Sequence, residues 1–538
     1  MPIPLQIAYK PIGKPEVGVN GYKAYNPHSE VLPKGWNGFD AKPLDSDIRI
    51  DHDVEIKMRD GARLYCDVYR PEGSQGKVPA IISWSCYGKK YSALDMLHSV
   101  CVWACCVKRS DLSGLEKFEG LDPQKWCPRG YAIVSVDSRG SGHSDGSMEI
   151  MNSQDAEDCY DVIEALAGMD WCNGKVGMAG NSALAIIQWH AAALRPPHLA
   201  AIAPWEGSGD IYREQFFRGG VFTMSNFDLI THFILKSEKG GGLEDFAEMY
   251  RRHPLSNVYW EDKRVDMTKV QCPVYICGSD LSSIHPMGSV RGWMEVPHDK
   301  KWIRWSSFQE WYELYCQPDA DEELRRFFDR YLRDESNGWE KTPKVRWSAL
   351  QFGNKEAIHD IQYSDFPVPQ TQYRELYLDN GKLSDSSPGS SSMAQYNSED
   401  GKSYSSFSYT FEKRSRLLGL PKAILHMSCL DHNDIASHRA FDKNRSVHQQ
   451  FPFHPHDKEE KVPPGEIVEL EIGIWPMGVD FEEQETLEVQ ISGQFPSIAE
   501  YTAFSKPRPE DERNKGQHRI HCGGEYKSKV ILPFVPIE

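Results

Sequence analysis

The residues of this chain best placed for chemistry are Gly180-Asn181-Ser182-Ala183-Leu184-Ala185, where a serine joins an apolar run to a helical one. Lys175 to Gly180 has the short apolar character of a buried strand, and Ile186 to Ala193 continues as a helix. A sharp turn between strand and helix projects a hydroxyl above the sheet, beside the free N–H groups of the helix start. Such a serine can attack a carbonyl carbon while the Ala183 N–H donates to the oxyanion that forms. The pattern departs from G-x-S-x-G, because Leu184 stands where a glycine is usual. A serine here also reads simply as an N-cap that accepts a backbone hydrogen bond. Nucleophilic chemistry further requires a base, normally a histidine oriented by a carboxylate.

The elements that must position Ser182 follow from hydrophobic patterning. Asp53 to Met58 and Arg63 to Tyr69 alternate about an Asp60-Gly61 turn, which predicts a hairpin. Val78 to Trp84, Tyr131 to Asp137, Leu199 to Pro204, Val274 to Gly278 and Lys301 to Trp305 are short runs suited to a parallel sheet. Asp155 to Met169 carries Val162, Ile163, Leu166 and Ala167 at helical spacing. Strand and helix alternate, which predicts a doubly wound α/β domain over residues 46–206 and 268–345. The interval 207–267 is too long for a simple crossover and reads as an inserted helical cap. Residues 1–45 read as an extended arm lying on the domain. In residues 346–538, Pro, Ser and Gly separate short strands such as Ser406 to Phe411, Ile467 to Trp475 and Thr486 to Ser492, which predicts a β-sandwich or jelly roll.

Composition narrows the partners. The formal charge of −17 over 538 residues comes without a Lys/Arg block that would track a phosphate backbone, so nucleic acid is not expected. No apolar stretch is long enough to span a bilayer, and Met1 to Lys10 lacks the features of an export signal. The thirteen cysteines are scattered, with no paired CxxC spacing, so they read as reduced thiols of a cytoplasmic protein. No nucleotide, metal or flavin motif stands out, so no cofactor is expected. The partner expected is a small-molecule substrate, and a homo-oligomer is left open.

Several separated motifs carry a resemblance. They are Met58-Arg59-Asp60-Gly61 with Asp67-Val68-Tyr69-Arg70-Pro71, Trp84-Ser85-Cys86-Tyr87-Gly88-Lys89, Asp137-Ser138-Arg139-Gly140-Ser141-Gly142, and Trp171-Cys172-Asn173-Gly174. The series continues with the Ser182 turn, Arg195-Pro196-Pro197-His198-Leu199, Ala203-Pro204-Trp205-Glu206-Gly207, and Asn514 to His521 with Gly523-Gly524. From about residue 50 onward the chain resembles the cocaine-esterase-like CocE/NonD hydrolases, which are related to X-prolyl dipeptidyl peptidases. The resemblance implies an α/β-hydrolase domain with a helical cap, followed by a C-terminal jelly roll. It implies that Tyr87 donates to the oxyanion beside Ala183, and that the loop after Val274 to Gly278 supplies the acid, Asp280. The family's histidine falls in a segment that here reads Trp302 to Trp311 and contains none; Glu310 takes its place, and Ser306 stands where some relatives keep a histidine.

The base is therefore open between two residues. His285 shares a loop with Asp280, and Glu310 can act as base if burial raises its pKa, or can orient His285. His143, His190 and His198 read as structural. Trp205 and Glu206 are expected at the pocket, with Phe216, Phe217, Phe222 and Phe227 lining it from the cap. The expected function is serine-dependent acyl hydrolysis or transfer on an ester, thioester or amide of a mostly apolar small molecule, by resemblance one of natural-product metabolism. The alternatives are a non-hydrolytic cyclase or isomerase using Asp280, Glu310 and His285 as acid/base groups, and an inactive ligand-binding pseudohydrolase.

Overall fold

The computed structural model describes residues 5–99, 105–220, 222–224, 227, 230–231, 235–282, 284–430, 439–493 and 514–537. The chain divides into two compact units. The first comprises Met1–Ile211, Asn226–Pro254 and Val258–Thr342, and the second Tyr212–Ser225, Leu255–Asn257 and Pro343–Glu538.

The large-sheet strands of the first unit are β1 (His28–Leu32), β2 (Ile48–Lys57), β3 (Arg63–Pro71), β4 (Val78–Ser85), β5 (Ala132–Asp137), β6 (Cys172–Asn181), β7 (Leu199–Trp205), β8 (Val274–Ser279) and β9 (Lys301–Ser306). They lie side by side in the order β9-β8-β7-β6-β4-β5-β3-β2-β1. The pairs from β9 to β5 are parallel, and those from β5 through β3 and β2 to β1 antiparallel. Every residue of β4, β5 and β8 is buried, as expected of strands covered on both faces.

The helices follow from local chemistry. The Asn152 side chain accepts from Asp155 N at 3.0 Å and starts α1 (Ser153–Ala167), which buries Val162, Ile163 and Leu166. Helix α2 (Ala183–Ala193) buries every residue from Ala183 to Ala192, and a helix apolar all round belongs in the interior. Pro286 opens α3 (Pro286–Glu295), and the Gln309 side chain caps α4 (Glu310–Cys316). Helix α5 (Pro318–Leu332) turns Leu324, Phe327, Phe328 and Leu332 inward.

Two sequence expectations need correction. The arm is in part an element of the fold: β1 pairs with β2, and Tyr9–Pro11 pairs antiparallel with Gly242–Glu244. An edge strand needs only backbone donors and acceptors, so it leaves little trace in a sequence without apolar alternation. The segment 207–267 is not one cap. Lys263 Nζ donates to Glu244 Oε2 and to the Ile150 carbonyl, both at 2.9 Å, and this fully buried pair fastens part of the segment to the first unit. Arg213 donates to the His454 and Pro455 carbonyls, each at 2.9 Å, which holds Tyr212–Ser225 in the second unit.

The second unit is the β-rich domain that the turn-rich sequence predicts, with mostly antiparallel pairing. Tyr404–Thr410 pairs with Thr486–Ser492, and Lys422–Cys429 lies between Val468–Gly473 and Gln517–Cys522. Leu376, Phe407, Phe411, Leu417, Leu425, Phe481, Ile520 and Val530 form its core. Among the described residues no helix is long and apolar enough to cross a membrane.

Candidate active site

The carboxyl ends of β6, β7, β8 and β9 carry Ser182, Glu206, the Asp280–His285 loop and Glu310 in turn, the edge of an open α/β sheet where ligands bind. Ser182 has φ 54° and ψ −120°, a strained conformation for a residue with a side chain, and its side chain makes no capping bond to the helix. The plain N-cap reading therefore fails. The strain is held from several sides. Asn181 N donates to the Glu119 carbonyl at 3.1 Å, and Ser182 N donates to the Glu206 carbonyl at 3.1 Å. A Cβ on Gly180, whose φ is 136°, would stand 2.7 Å from the Glu119 carbonyl oxygen and 2.8 Å from Leu184 Cβ. One on Gly207 would stand 2.7 Å from Ala185 Cβ. Leu184 is thus tolerated because the glycines lie across from the helix start. We expect Gly180→Ala to destabilise the fold by about 2–4 kcal/mol, seen as a lower urea midpoint with an unchanged slope.

His285, buried at the start of α3, places Nε2 3.0 Å from Ser182 Oγ. Its tautomer follows from a third residue. Ser208 Oγ donates its proton to the Ile284 carbonyl at 3.0 Å and lies 3.3 Å from His285 Nδ1. A hydroxyl has one proton, so toward His285 the Ser208 oxygen is an acceptor, and Nδ1 carries the hydrogen. Nε2 then presents its lone pair to the Ser182 hydroxyl, the arrangement a general base requires.

Three buried carboxyls surround this pair. Burial pushes Glu310 up to about 8. Glu119 and Glu206 are pushed well above the usual carboxylate range by burial and then by the charge of Glu310. Glu310 Oε2 lies 3.9 Å from His285 Nε2, the nitrogen that faces Ser182, so Glu310 sits on the Ser182 side of the ring rather than behind it. The contact at Nδ1 comes from Ser208 instead. The Glu310 carbonyl accepts from Asn181 Nδ2 at 2.6 Å, which ties α4 to the elbow. Glu119 Oε1 accepts from Trp311 Nε1 at 3.4 Å, and Ser182 and Tyr87 are among its hydrogen-bonding neighbours. Glu119 and Ser208 escaped the sequence reading. Neither sits in a motif, although Glu119 stands out in the structure by its positive φ of 67°.

Tyr87 lies in this cluster, its ring 5.3 Å from Phe118, which in turn lies 5.5 Å from Trp311. Burial and the neighbouring Glu119 push its phenol well up, so it stays protonated and able to donate. The Ala183 N–H is at the first helical position, where no intrahelical acceptor exists. Asp280 accepts from Trp305 Nε1 at 3.0 Å, and Ser306 donates to Glu313 at 2.7 Å. Trp205 is buried with its ring 5.8 Å from that of Tyr275, and its neighbour Glu206 feels the charge of Glu310. Phe216 and Phe222 are buried in the second unit with ring centroids 6.2 Å apart, where Phe217 stacks on Tyr212; they are not part of a separate cap. Phe227 belongs to the first unit and packs on Phe246. His143 and His198 pair with Glu238 and Glu164, and burial lowers His190 to about 3, consistent with structural roles.

A doubly wound sheet with a strained Ser182 and an apposed histidine at its carboxyl edge defines an α/β-hydrolase. Comparison with known proteins is more specific. Residues 60–305 match the X-Pro dipeptidyl-peptidase (S15 family) model, and residues 337–531 match that of the X-Pro dipeptidyl-peptidase C-terminal non-catalytic domain. A CocE/NonD family hydrolase from Staphylococcus aureus is 31% identical, with a TM-score of 0.85 over 97% of this chain and 100% of that one. Cocaine esterase of Rhodococcus sp. (strain MB1 Bresler) is 24% identical over 419 residues, 65% of this chain and 66% of the esterase. An α-amino acid ester hydrolase shares the fold, with a TM-score of 0.67 at 16% identity over 91% of this chain and 97% of that one. The chain belongs to the CocE/NonD family of hydrolases.

Proposed function

We propose that the chain is a serine-dependent acyl hydrolase or acyl-transfer enzyme that acts on an ester, thioester or amide of a small molecule. The 3.0 Å approach of His285 Nε2 to the strained Ser182 hydroxyl carries this reading. As Oγ bonds to the carbonyl carbon, its proton passes to Nε2, and the carbonyl electrons move onto oxygen. The Ala183 N–H and the Tyr87 phenol donate to that oxyanion. Collapse expels the leaving group, which takes the proton from Nε2. Water or another acceptor then repeats the sequence to release the acyl group. A mostly apolar small molecule, as the aromatic residues suggest, extends this reading, and a role in natural-product metabolism extends it on family resemblance alone.

A fluorophosphonate probe should label the protein once per chain, with mass spectrometry placing the adduct on Ser182. Label on another residue alone, or none, overturns the reading. Tyr87→Phe should keep the aromatic packing and lose the donor, lowering kcat/KM on a simple ester by roughly 10²-fold, the usual cost of one oxyanion donor.

A second reading has its own support. Glu119, Glu206 and Glu310 each keep a buried carboxyl oxygen without a hydrogen-bond partner among the described residues. Neutral buried carboxyls beside a histidine suit proton transfer without a covalent intermediate, as in a cyclase or isomerase. In that case product formation survives the loss of Ser182.

A further inference from the structure

We propose that His28, Glu30 and His52 form a binding site for a divalent transition-metal ion of the zinc type at the edge of the first unit's sheet. His28 and Glu30 are two apart on β1 and so share one face, and His52 lies directly opposite His28 in the antiparallel register. One ligand atom from each of the three falls within 4.8 Å of the other two. His52 Nε2 and Glu30 Oε1 are 2.9 Å apart, near the roughly 3.3 Å edge of a tetrahedron with metal–ligand bonds of about 2 Å. The two imidazoles stack with centroids 4.5 Å apart and planes 15° apart, so they present their edges together.

The other nitrogen of each histidine points to an acceptor. His28 Nδ1 is 2.7 Å from the Asn26 carbonyl, and His52 Nδ1 is 3.6 Å from Asp67 Oδ2. A carbonyl behind one ligand histidine and a carboxylate behind the other is the arrangement that fixes tautomer and raises basicity at metal sites. The other Asp67 oxygen is occupied by the Asp53 N–H at 2.8 Å, so Oδ2 is the one left toward His52. Glu30, His52 and Asp67 line one cavity of about 140 Å³ with Lys23, Lys90 and Lys117. Lys90 is paired with Asp53 at 2.6 Å, and the two lining carboxylates offset the other two lysine charges against an incoming cation. Two imidazoles and one carboxylate, with a water as fourth ligand, suit zinc better than calcium or magnesium, which prefer oxygen donors. The site escapes sequence reading because twenty-three residues lie between its histidines and only the strand pairing joins them.

The test uses the full chain, stripped with a chelator and titrated with Zn²⁺ and with Co²⁺ as a spectroscopic substitute. One ion per chain should bind and raise the thermal midpoint. Cobalt should give the visible bands of a low-coordinate nitrogen and oxygen site, with no thiolate charge-transfer absorption. His28→Ala and Glu30→Gln, at half-buried or exposed edge positions, should fold as the parent does and each bind at least about tenfold more weakly. Thiolate absorption would assign the ion to cysteine and overturn the proposal. So would zinc affinity unchanged in both variants, or no binding by the parent chain.

Discussion

Ser182→Ala should abolish fluorophosphonate labelling and reduce ester turnover by roughly 10⁴-fold or more, with folding intact. The expectation rests on three placements. The hydroxyl sits on a turn at φ 54°, its neighbour His285 Nε2 is 3.0 Å away, and Ser208 sets that nitrogen up to accept a proton. Alanine keeps the Cβ and so keeps the strained backbone and the packing of α2. The loss is therefore chemical. The residual rate belongs to the oxyanion donors and to substrate binding, which the variant retains. The decisive comparison uses the enzyme's own substrate, found by screening esters, thioesters and amides against the parent chain. Loss of labelling together with loss of turnover supports a covalent acyl intermediate. Turnover that persists within about tenfold while labelling is lost removes Ser182 from the bond-making step and leaves the acid/base reading in its place.

Much of this arrangement is legible in the amino-acid sequence, for physical reasons. Strands covered on both faces must be apolar along their length, and so Val78, Tyr131 and Val274 announce the sheet. The elbow is legible because it needs a strand, a small-residue turn and a helix in immediate succession, and Leu184 only weakened the signal. The third dimension of the site is not written in the same way. Ser208 acts through a carbonyl and a ring nitrogen brought together by separate loops, and Glu119 reaches Ser182 from a segment with no periodic pattern. Glu310 was legible in position but not in orientation, since reaching Nε2 rather than Nδ1 depends on how α4 is tied to Asn181. The inserted segment misled for a related reason. Its aromatics look alike in sequence, whereas Arg213 and Lys263 send its parts to different units through buried polar contacts.

The same geometry separates the two candidate bases. His285→Ala should cost about as much as Ser182→Ala, roughly 10⁴-fold in kcat/KM, because it removes the acceptor of the Ser182 proton. Glu310→Gln should behave differently, and its effect should depend on pH. With its carboxyl pushed up to about 8, Glu310 is mostly neutral at pH 7 and becomes an anion as the pH rises through that value. Once ionised, it stands 3.9 Å from the nitrogen that becomes positively charged in the transition state. An opposite charge at that distance stabilises the imidazolium by at least ~1 kcal/mol, even in a highly screened setting, which is about fivefold in rate. The parent enzyme should therefore show kcat/KM climbing near pH 8 as Glu310 ionises. Glu310→Gln should match the parent within severalfold at pH 6 to 7 and lose that climb, with KM little changed. A glutamine variant as inactive as His285→Ala across the whole range would reverse the assignment. Glu310 would then be the proton acceptor, and His285 would serve to position the nucleophile.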